Sequence, residues 1–371
     1  YHLIFIVKIK NNMTVCILGN GLSGLTLAKA LVNKNIYVDL LEQKKHFKLC
    51  DTRTIGISKS NSDYFSKDII NIEKLLWKLK KIEIFTENNE NEKLINFENN
   101  DEQLFSIVEN NKLYKILEKD LSKNKFFKKK IYNNKNLSFI KKYELIINCD
   151  YSNIINKKYF SKKIIKKYNS SAYTTIINHE KILNNTATQI FTKRGPLAFL
   201  PISNNETSIV YSVHDSRNKK KLNIEELIKI YNFKYKINKI KKINKFELKS
   251  LNLRSYYHNK ILAFGDILHK IHPLAGQGFN MTIRDVKILM QIICHKHDMG
   301  LPLDCSVNEE FQNTLKHKNF IFSSGIDLIY EFFNIERKIK SNILSKSAQF
   351  IGKNPLINKM FTKIADKGIN I

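Results

Sequence analysis

The chain has 371 residues, 43% of them hydrophobic and 11% aromatic, which is enough for a sizeable core shared by two interleaved domains. Its formal charge is +29, but lysine, asparagine and isoleucine are spread through every segment, no nucleic-acid-binding motif occurs, and the lysines are not interleaved with a stacking set of aromatics, so a nucleic-acid partner is set aside. No apolar run approaches the length of a membrane-spanning helix, and five scattered cysteines (Cys16, Cys50, Cys149, Cys294 and Cys305) argue for a reducing compartment and against a disulfide frame.

Tyr1 to Lys10 is apolar and basic, but too short for a secretory signal and without a cleavage site. The chain does not begin with methionine, and Met13 is a candidate start, one residue before the first strand. Thr14 to Leu18 is a short, β-branched apolar run and reads as a buried strand. Gly19, Gly21 and Gly24 follow as GxGxxG, then Leu25 to Val32 with helical spacing, then a second strand from Ile36 to Leu41 closed by Glu42. Strand, tight turn, helix, strand and acid is the context a dinucleotide fingerprint requires. Gly19 permits the turn, Gly21 lets backbone approach a pyrophosphate over the helix N-terminus at Leu22 and Ser23, Gly24 allows close helix–strand packing, and Glu42, followed by Gln43, is placed to accept from ribose hydroxyls.

Asn61 to Phe97 reads as helical and then mixed, with an asparagine-rich surface run at Asn88 to Asn100. Asn110 to Leu121 reads as a helix and Tyr143 to Cys149 as a further strand of the nucleotide domain. Thr174 to His179, Gln189 to Phe191, Leu197 to Ile202 and Thr207 to His214 alternate as an antiparallel sheet, with a turn at Asn204 and Asn205. Ile224 to Phe233 is an amphipathic helix, and the tail after Phe311 is helical and basic.

Glycine is scarce, at 12 residues, yet six fall in two short segments. The second segment runs from Gly265 and Asp266, after a strand at Ile261 to Phe264, through His272 and Pro273 to Gly276, Gln277, Gly278, Phe279 and Asn280, with a helix from about Met281. A helix N-terminus there carries partial positive charge suited to an anionic ligand. Only six of the 63 basic residues are arginine, among them Arg53, Arg194 and Arg284, and in so lysine-rich a chain a retained arginine points to a use for its planar fork. Cys294, His295 and His297 match no metal-site spacing, and no metal is expected.

With both segments in view, the sequence resembles the FAD-dependent aromatic hydroxylases, the flavoprotein monooxygenases with a GD…P…GQGxN motif. The form of the motif is most like that of the ubiquinone-biosynthesis hydroxylases, which His269, His272, Gln277, Asn280, Arg284 and Asp285 match. Asp51 to Ser58 and Glu109 to Leu113 resemble further segments of the family, and Asn178 to Glu180 and Arg194 to Ile202 resemble segments of the ubiquinone group. The resemblance implies that Asp266 binds the ribityl chain, that the amides around Gly276 to Gly278 face the flavin pyrimidine edge, that Arg53 lies near the flavin, and that His272 and Pro273 border the ring. It implies that the Leu197 to Ile202 strand, through Leu197, Phe199 and Pro201, roofs the substrate. No catalytic acid or base is assigned, because the flavin carries the chemistry.

Two departures stand out. Where the family has a middle Asp-Gly motif, Asp150 is present but Tyr151 replaces the glycine, and Leu121 to Tyr143 is too short for the family's β-hairpin.

The expected fold is α/β: a Rossmann-like FAD-binding domain (13–66, 101–165 and 252–305) interleaved with an antiparallel-sheet substrate domain (67–100 and 166–251), followed by a helical C-terminal region (306–371). By resemblance, the expected function is hydroxylation of a polyprenylated phenol in ubiquinone biosynthesis, with FAD, NAD(P)H and O2, through a flavin C4a-hydroperoxide. Peripheral contact with the inner face of the membrane is expected, through a tail in which Ile351, Leu356, Ile357, Met360, Phe361 and Ile364 stand among lysines, as is membership of a ubiquinone-biosynthesis complex. The alternatives are an FAD oxidoreductase that inserts no oxygen, and a non-catalytic accessory flavoprotein of such a complex.

Overall fold

The computed structural model describes residues 14–43, 51–87, 94–98, 103–133, 137–214, 222–273, 276–339 and 355–368. The expectations for Tyr1 to Lys10, Met13, Cys50, Ile351, most of Asn88 to Asn100, and the side chains of Leu356, Ile357 and Phe361 lie outside the described residues.

The nucleotide half is a six-stranded sheet in the order β16 (Tyr257–His258), β17 (Ile261–Ala263), β9 (Ile146–Asn148), β1 (Thr14–Leu18), β2 (Tyr37–Gln43) and β8 (Phe127–Tyr132). From β17 to β8 every neighbour is parallel, and β16 turns back antiparallel on β17. Parallel strands covered on both faces are apolar throughout, as Val15 to Leu18 and Ile146 to Ile147 are. Helix α1 (Leu22–Val32) is buried from Gly24 to Val32 between the sheet, α3 (Asn110–Leu121) and α6 (Gln277–Asp298). Its Lys29 reaches Asp120 of α3 at 2.6 Å. Between Leu121 and Tyr143 the described residues hold one strand, β8, and a 3-10 turn at Ser138–Lys142; no hairpin forms among them.

The second sheet has nine strands. Eight run in the order β18 (His269–Lys270), β15 (Asn244–Leu253), β10 (Lys163–His179), β13 (Glu206–His214), β12 (Gly195–Pro201), β11 (Thr186–Thr192), β5 (Lys81–Thr86) and β6 (Ile95–Glu98), and β14 (Ile237–Ile240) pairs with β10. One face is covered by α5 (Ile224–Ile230), whose Ile224 and Ile228 pack with Ile177, Ile190, Ile209 and Tyr211. The other face looks towards a small third sheet, β3 (Thr54–Ser58), β7 (Phe105–Glu109) and β4 (Trp77–Leu79), where Thr54 and Ser208 hydroxyls meet at 2.8 Å. Strand β10 crosses the expected boundary at 165, and β18, within the expected nucleotide segment, is an edge of the substrate sheet.

Helices α2 (Lys59–Tyr64) and α4 (Ile154–Tyr159) are short, and α7 (Cys305–Ile339) and α8 (Pro355–Lys367) form the C-terminal region. Among the described residues no helix is long and apolar enough to cross a membrane.

Candidate functional site

The first glycine loop sits at the carboxyl ends of β1, β2 and β9, the crevice where open α/β sheets bind ligands. Gly19 has φ +100°, donates to Leu41 O at 2.8 Å, and a Cβ there would stand 3.0 Å from Asp150 Cβ. A Cβ on Gly24 would lie 2.3 Å from Gly19 O, so this glycine sets the contact between helix and strand. Gly21 differs: its φ is −70° and a Cβ would meet nothing within 4 Å. Helix α1 starts there with no capping side chain and no acid in its first turn, so its amides, from Leu22 and Ser23 on, are left for a ligand.

Polar and charged side chains rim this loop. Asn20 Nδ2 donates to Glu42 Oε2 at 2.5 Å, and Lys129 of β8 reaches the same carboxylate at 3.2 Å. Gln43 Nε2 donates to Asp150 Oδ2 at 2.6 Å. The other oxygen of Asp150 accepts from Ser152 N at 2.8 Å and Ser152 Oγ at 2.7 Å, closing an Asx-type turn. That turn explains how Tyr151 stands in a glycine's place. Among the described residues the non-glycine positions with positive φ are Asn35, Asn169 and Asn259, so Tyr151 is not forced into left-handed backbone. Its ring is 42% exposed, with Lys163 Nζ 4.8 Å from the centroid.

The second loop abuts the first. Gly265 (φ +63°) lies so close that a Cβ there would stand 2.8 Å from Ser23 Oγ, and the neighbouring Asp266 is exposed. His269 pairs with Asp285 of α6 at 2.5 Å, both fully buried, and Asn319 of α7 donates to the other Asp285 oxygen at 3.0 Å. Gly276, again at φ +63°, starts α6 without a side-chain cap or an acid in the first turn. A Cβ on Gly278 would meet nothing within 4 Å, whereas Gln277 Oε1 is buried without a hydrogen-bond partner. Phe279 packs into the nucleotide core beside Phe65, 6.3 Å between centroids.

Asn280 is a clamp rather than a ligand. Its Nδ2 donates to Gly56 O (3.0 Å) and Gly276 O (3.1 Å), and its Oδ1 accepts from Ser58 N (2.9 Å) and Asn61 Nδ2 (3.0 Å). Three of these bonds tie α6 to β3 and α2 and the fourth holds its own N-cap, which leaves the side chain no polar capacity for a cofactor. A cofactor contact at this position would therefore fall to its backbone.

His272 is buried between Tyr168 of β10 and Tyr330 of α7, with ring centroids at 5.0 and 4.4 Å. Burial, helped by the nearby His214, lowers its pKa to about 3, so the imidazole is neutral. Tyr330 Oη meets His214 Nε2 at 2.9 Å and Ser170 Oγ at 3.1 Å. Sequence reading missed both tyrosines, because nothing in the chain signals that positions about 100 and 60 residues away would cage this histidine. Pro273 is half-buried beside it, and Arg53 is exposed at the start of β3 with its carbonyl accepting from Asn110 N at 3.0 Å.

The substrate strand is found where expected, with its faces exchanged. Leu197 and Phe199 are buried in the core under α5, and Pro201 shares their parity. Cross-strand register places Leu200 with Ser208 and Ala198 with Val210, on the face where Ser208 meets Thr54. Pro196, Ala198 and Leu200 therefore share the face that looks towards the third sheet, where Leu200 packs with Leu79 and Ile107, and Leu197, Phe199 and Pro201 do not. With a period of two, a one-residue shift exchanges the faces.

An FAD fits these features. Two helix N-termini are uncapped, the loop that leads into the second touches the first through the Gly265–Ser23 contact, and backbone is open at Gly21 and Gly278.

Comparison with known proteins agrees. Residues 143–297 match the family model of an FAD binding domain. The chain is 29% identical over 177 residues to the 3-demethoxyubiquinol 3-hydroxylase of Escherichia coli, covering 45% of each chain. It is 23% identical over 234 residues to a mitochondrial ubiquinone biosynthesis monooxygenase of Danio rerio, covering 52% of this chain and 48% of that one. The chain thus spans about half the length of the curated relatives it matches. Among solved structures, the p-nitrophenol 4-monooxygenase of Pseudomonas putida aligns at TM-score 0.77 and 11% identity, over 97% of this chain and all of that one. Klebsiella pneumoniae HpxO with FAD and uric acid aligns at 0.71 and 11%, over 95% and 97%. The chain therefore carries an FAD-binding domain, has the fold of the FAD-dependent aromatic monooxygenases, and counts ubiquinone-biosynthesis hydroxylases among its sequence relatives.

Proposed function

We propose that the protein is an FAD-dependent monooxygenase that hydroxylates a polyprenylated phenol of ubiquinone biosynthesis, using NAD(P)H and O2, in peripheral contact with a membrane and alongside other enzymes of that route. The observation that supports this most is the pair of glycine loops, Gly19 to Gly24 and Gly265 to Gly278, which meet at Gly265 and Ser23 and each lead into a helix without a capping side chain.

Bound FAD would supply reduction by NAD(P)H and activation of O2. The chain's own residues would bind, orient and keep dry. Amides at Leu22 and Ser23 would take the pyrophosphate, Glu42 the ribose and Asp266 the ribityl chain. Amides from Gln277 to Phe279 would face the electron-rich edge of the reduced ring, where the α6 dipole favours negative charge. Pro273 and His272 would border the ring. His272, neutral and caged by Tyr168 and Tyr330, brings no charge and excludes water from that side. Pro196, Ala198, Leu200 and Val210 offer an apolar wall suited to an aromatic ring.

The test is an absorption spectrum of protein prepared with FAD and freed of excess flavin, followed by NAD(P)H oxidation with and without phenols under labelled oxygen. One flavin per chain and label in the product are expected. Flavin bound and reduced with no label in any product would favour the oxidoreductase that inserts no oxygen.

A further inference from the structure

Helix α8 lies across the junction of the two halves. Of its described side chains, Ile364 joins a small apolar cluster, distinct from the cores of both halves, with Phe191 of β11, Ile271 beside the second glycine loop, Met281 of α6, and Phe322 and Ile326 of α7. At its end, Asp366 Oδ1 accepts from Ser60 N at 2.8 Å, and Asp366 O accepts from Ser58 Oγ and Ser60 Oγ, both at 3.0 Å. Gly368, at φ +76°, then lays backbone against Arg284, where a Cβ would stand 3.1 Å from the guanidinium.

The docked arrangement has an internal cost. Arg284 is held between Gly368 and the ring of Phe322, 4.5 Å from its centroid, with Nη1 buried and without a hydrogen-bond partner. Burial lowers its pKa to about 10 although Asp285 and Asp366 oppose the shift. Lifting α8 would rehydrate this cation, whereas losing Ile364 would leave the apolar cluster in need of a replacement. The outward residues Lys359, Met360, Lys363 and Lys367 are exposed.

We propose that α8 is a removable cover on this apolar cleft, latched by Asp366 on Ser58 and Ser60, and that the cleft takes the apolar tail of the phenolic substrate when the cover lifts. The cleft is walled by the substrate sheet through Phe191 and by both flanks of the flavin loop through Ile271 and Met281, so a tail lying there leads directly from a ring placed at Pro273. The latch is also wired to the cofactor side: the Ser58 whose hydroxyl holds Asp366 has its amide held by Asn280. This inference rests on the phenol hydroxylase reading and names which part of the molecule takes the tail.

Hydrogen exchange on the FAD-loaded full chain, with a decyl-substituted phenol and its methyl-substituted counterpart as probes, tests it without turnover. The decyl phenol is expected to speed exchange at residues 355–367, and the methyl phenol to leave it unchanged. Asp366→Ala, which removes the bond from Ser60 N and weakens the latch while leaving the two bonds to the Asp366 carbonyl, should tighten decyl phenol binding, read from the flavin spectrum, by about threefold or more, with methyl phenol unaffected. Ile364→Ala, which vacates the cleft without touching the latch, should act in the same direction if Asp366→Ala folds poorly. Unchanged or slowed exchange at α8 with decyl phenol, or equal shifts for both phenols, overturns the proposal. An exchange response without oxygen insertion would instead overturn the hydroxylase reading and leave the cleft standing.

Discussion

Helices α1 and α6 both begin at a glycine, without a capping side chain and without an acid in the first turn, yet they are held by different means. The start of α1 is the more local: Gly24 packs on Gly19 O within one loop, and Gly19 donates to Leu41 O of the next strand, β2. The start of α6 is composite, held by Gly56, Ser58 and Asn61 through Asn280, by Asn319 through Asp285, and by the end of α8 through Ser58. A local site fails outright when its geometry is broken, whereas a composite one can loosen by degrees.

The largest expected effect breaks the local end. Gly24→Val sets a side chain 2.3 Å from a backbone oxygen that cannot move without opening α1 from β1. FAD affinity should fall at least about 100-fold, or ~2.7 kcal/mol. One flavin per chain surviving gel filtration of this variant would sink the prediction.

Asn280→Ala strikes the composite end. It leaves a buried amide at Ser58 and two buried carbonyls without their partner, and urea unfolding of the flavin-free protein should show a loss of ~3 kcal/mol. A stability loss that appears only with FAD bound would mean the side chain serves the ligand after all.

Gly21→Ala separates fold from ligand. Its backbone already suits alanine and its surroundings are open, so stability should hold within ~0.5 kcal/mol. FAD affinity in a fluorescence titration should nevertheless drop about tenfold, or ~1.4 kcal/mol, because the added methyl occupies the pyrophosphate's approach.

His272 sharpens the comparison through pH. Folding lowers its pKa from 6.5 to about 3, so below 6.5 the unfolded chain takes up the proton and the folded one does not. Stability from this group is therefore complete above that pH and lost as pH falls towards 3, by up to ~1.4 kcal/mol per pH unit. His272→Gln should flatten the acid limb of the unfolding free energy, and an unchanged slope would count against the buried neutral ring. The smallest effect belongs to Tyr151→Gly: with the turn closed by Ser152 and the ring outside, stability should shift by less than ~1 kcal/mol.

The same contrast explains what could be read in the chain. The strand Thr14–Leu18 and the helix Asn110–Leu121 fall on their expected bounds, because buried parallel strands and an amphipathic helix each carry a local pattern. Strands β14 and β15 had none: Lys239, Lys245, Glu247 and Lys249 reflect pairing with β10 at a solvated end, which only the partner strand reveals. The face of β12 was misread because a buried strand flanked on both sides is apolar in both registers. Asn280 matched a motif by identity, but its role as a clamp depends on Gly56 and Ser58, more than 220 residues earlier.

Strand β18, only His269 and Lys270, pairs with Leu251 and Asn252 at the edge of the same sheet that carries β10 to β13. Mechanically, the backbone just ahead of His272 and Pro273 is a rung of the substrate platform. A tilt of that platform would be transmitted to the loop as torque through two residues of ladder, without a hinge between them. Ring and wall would then move as one body, and their spacing would be fixed by the ladder before either ligand arrives.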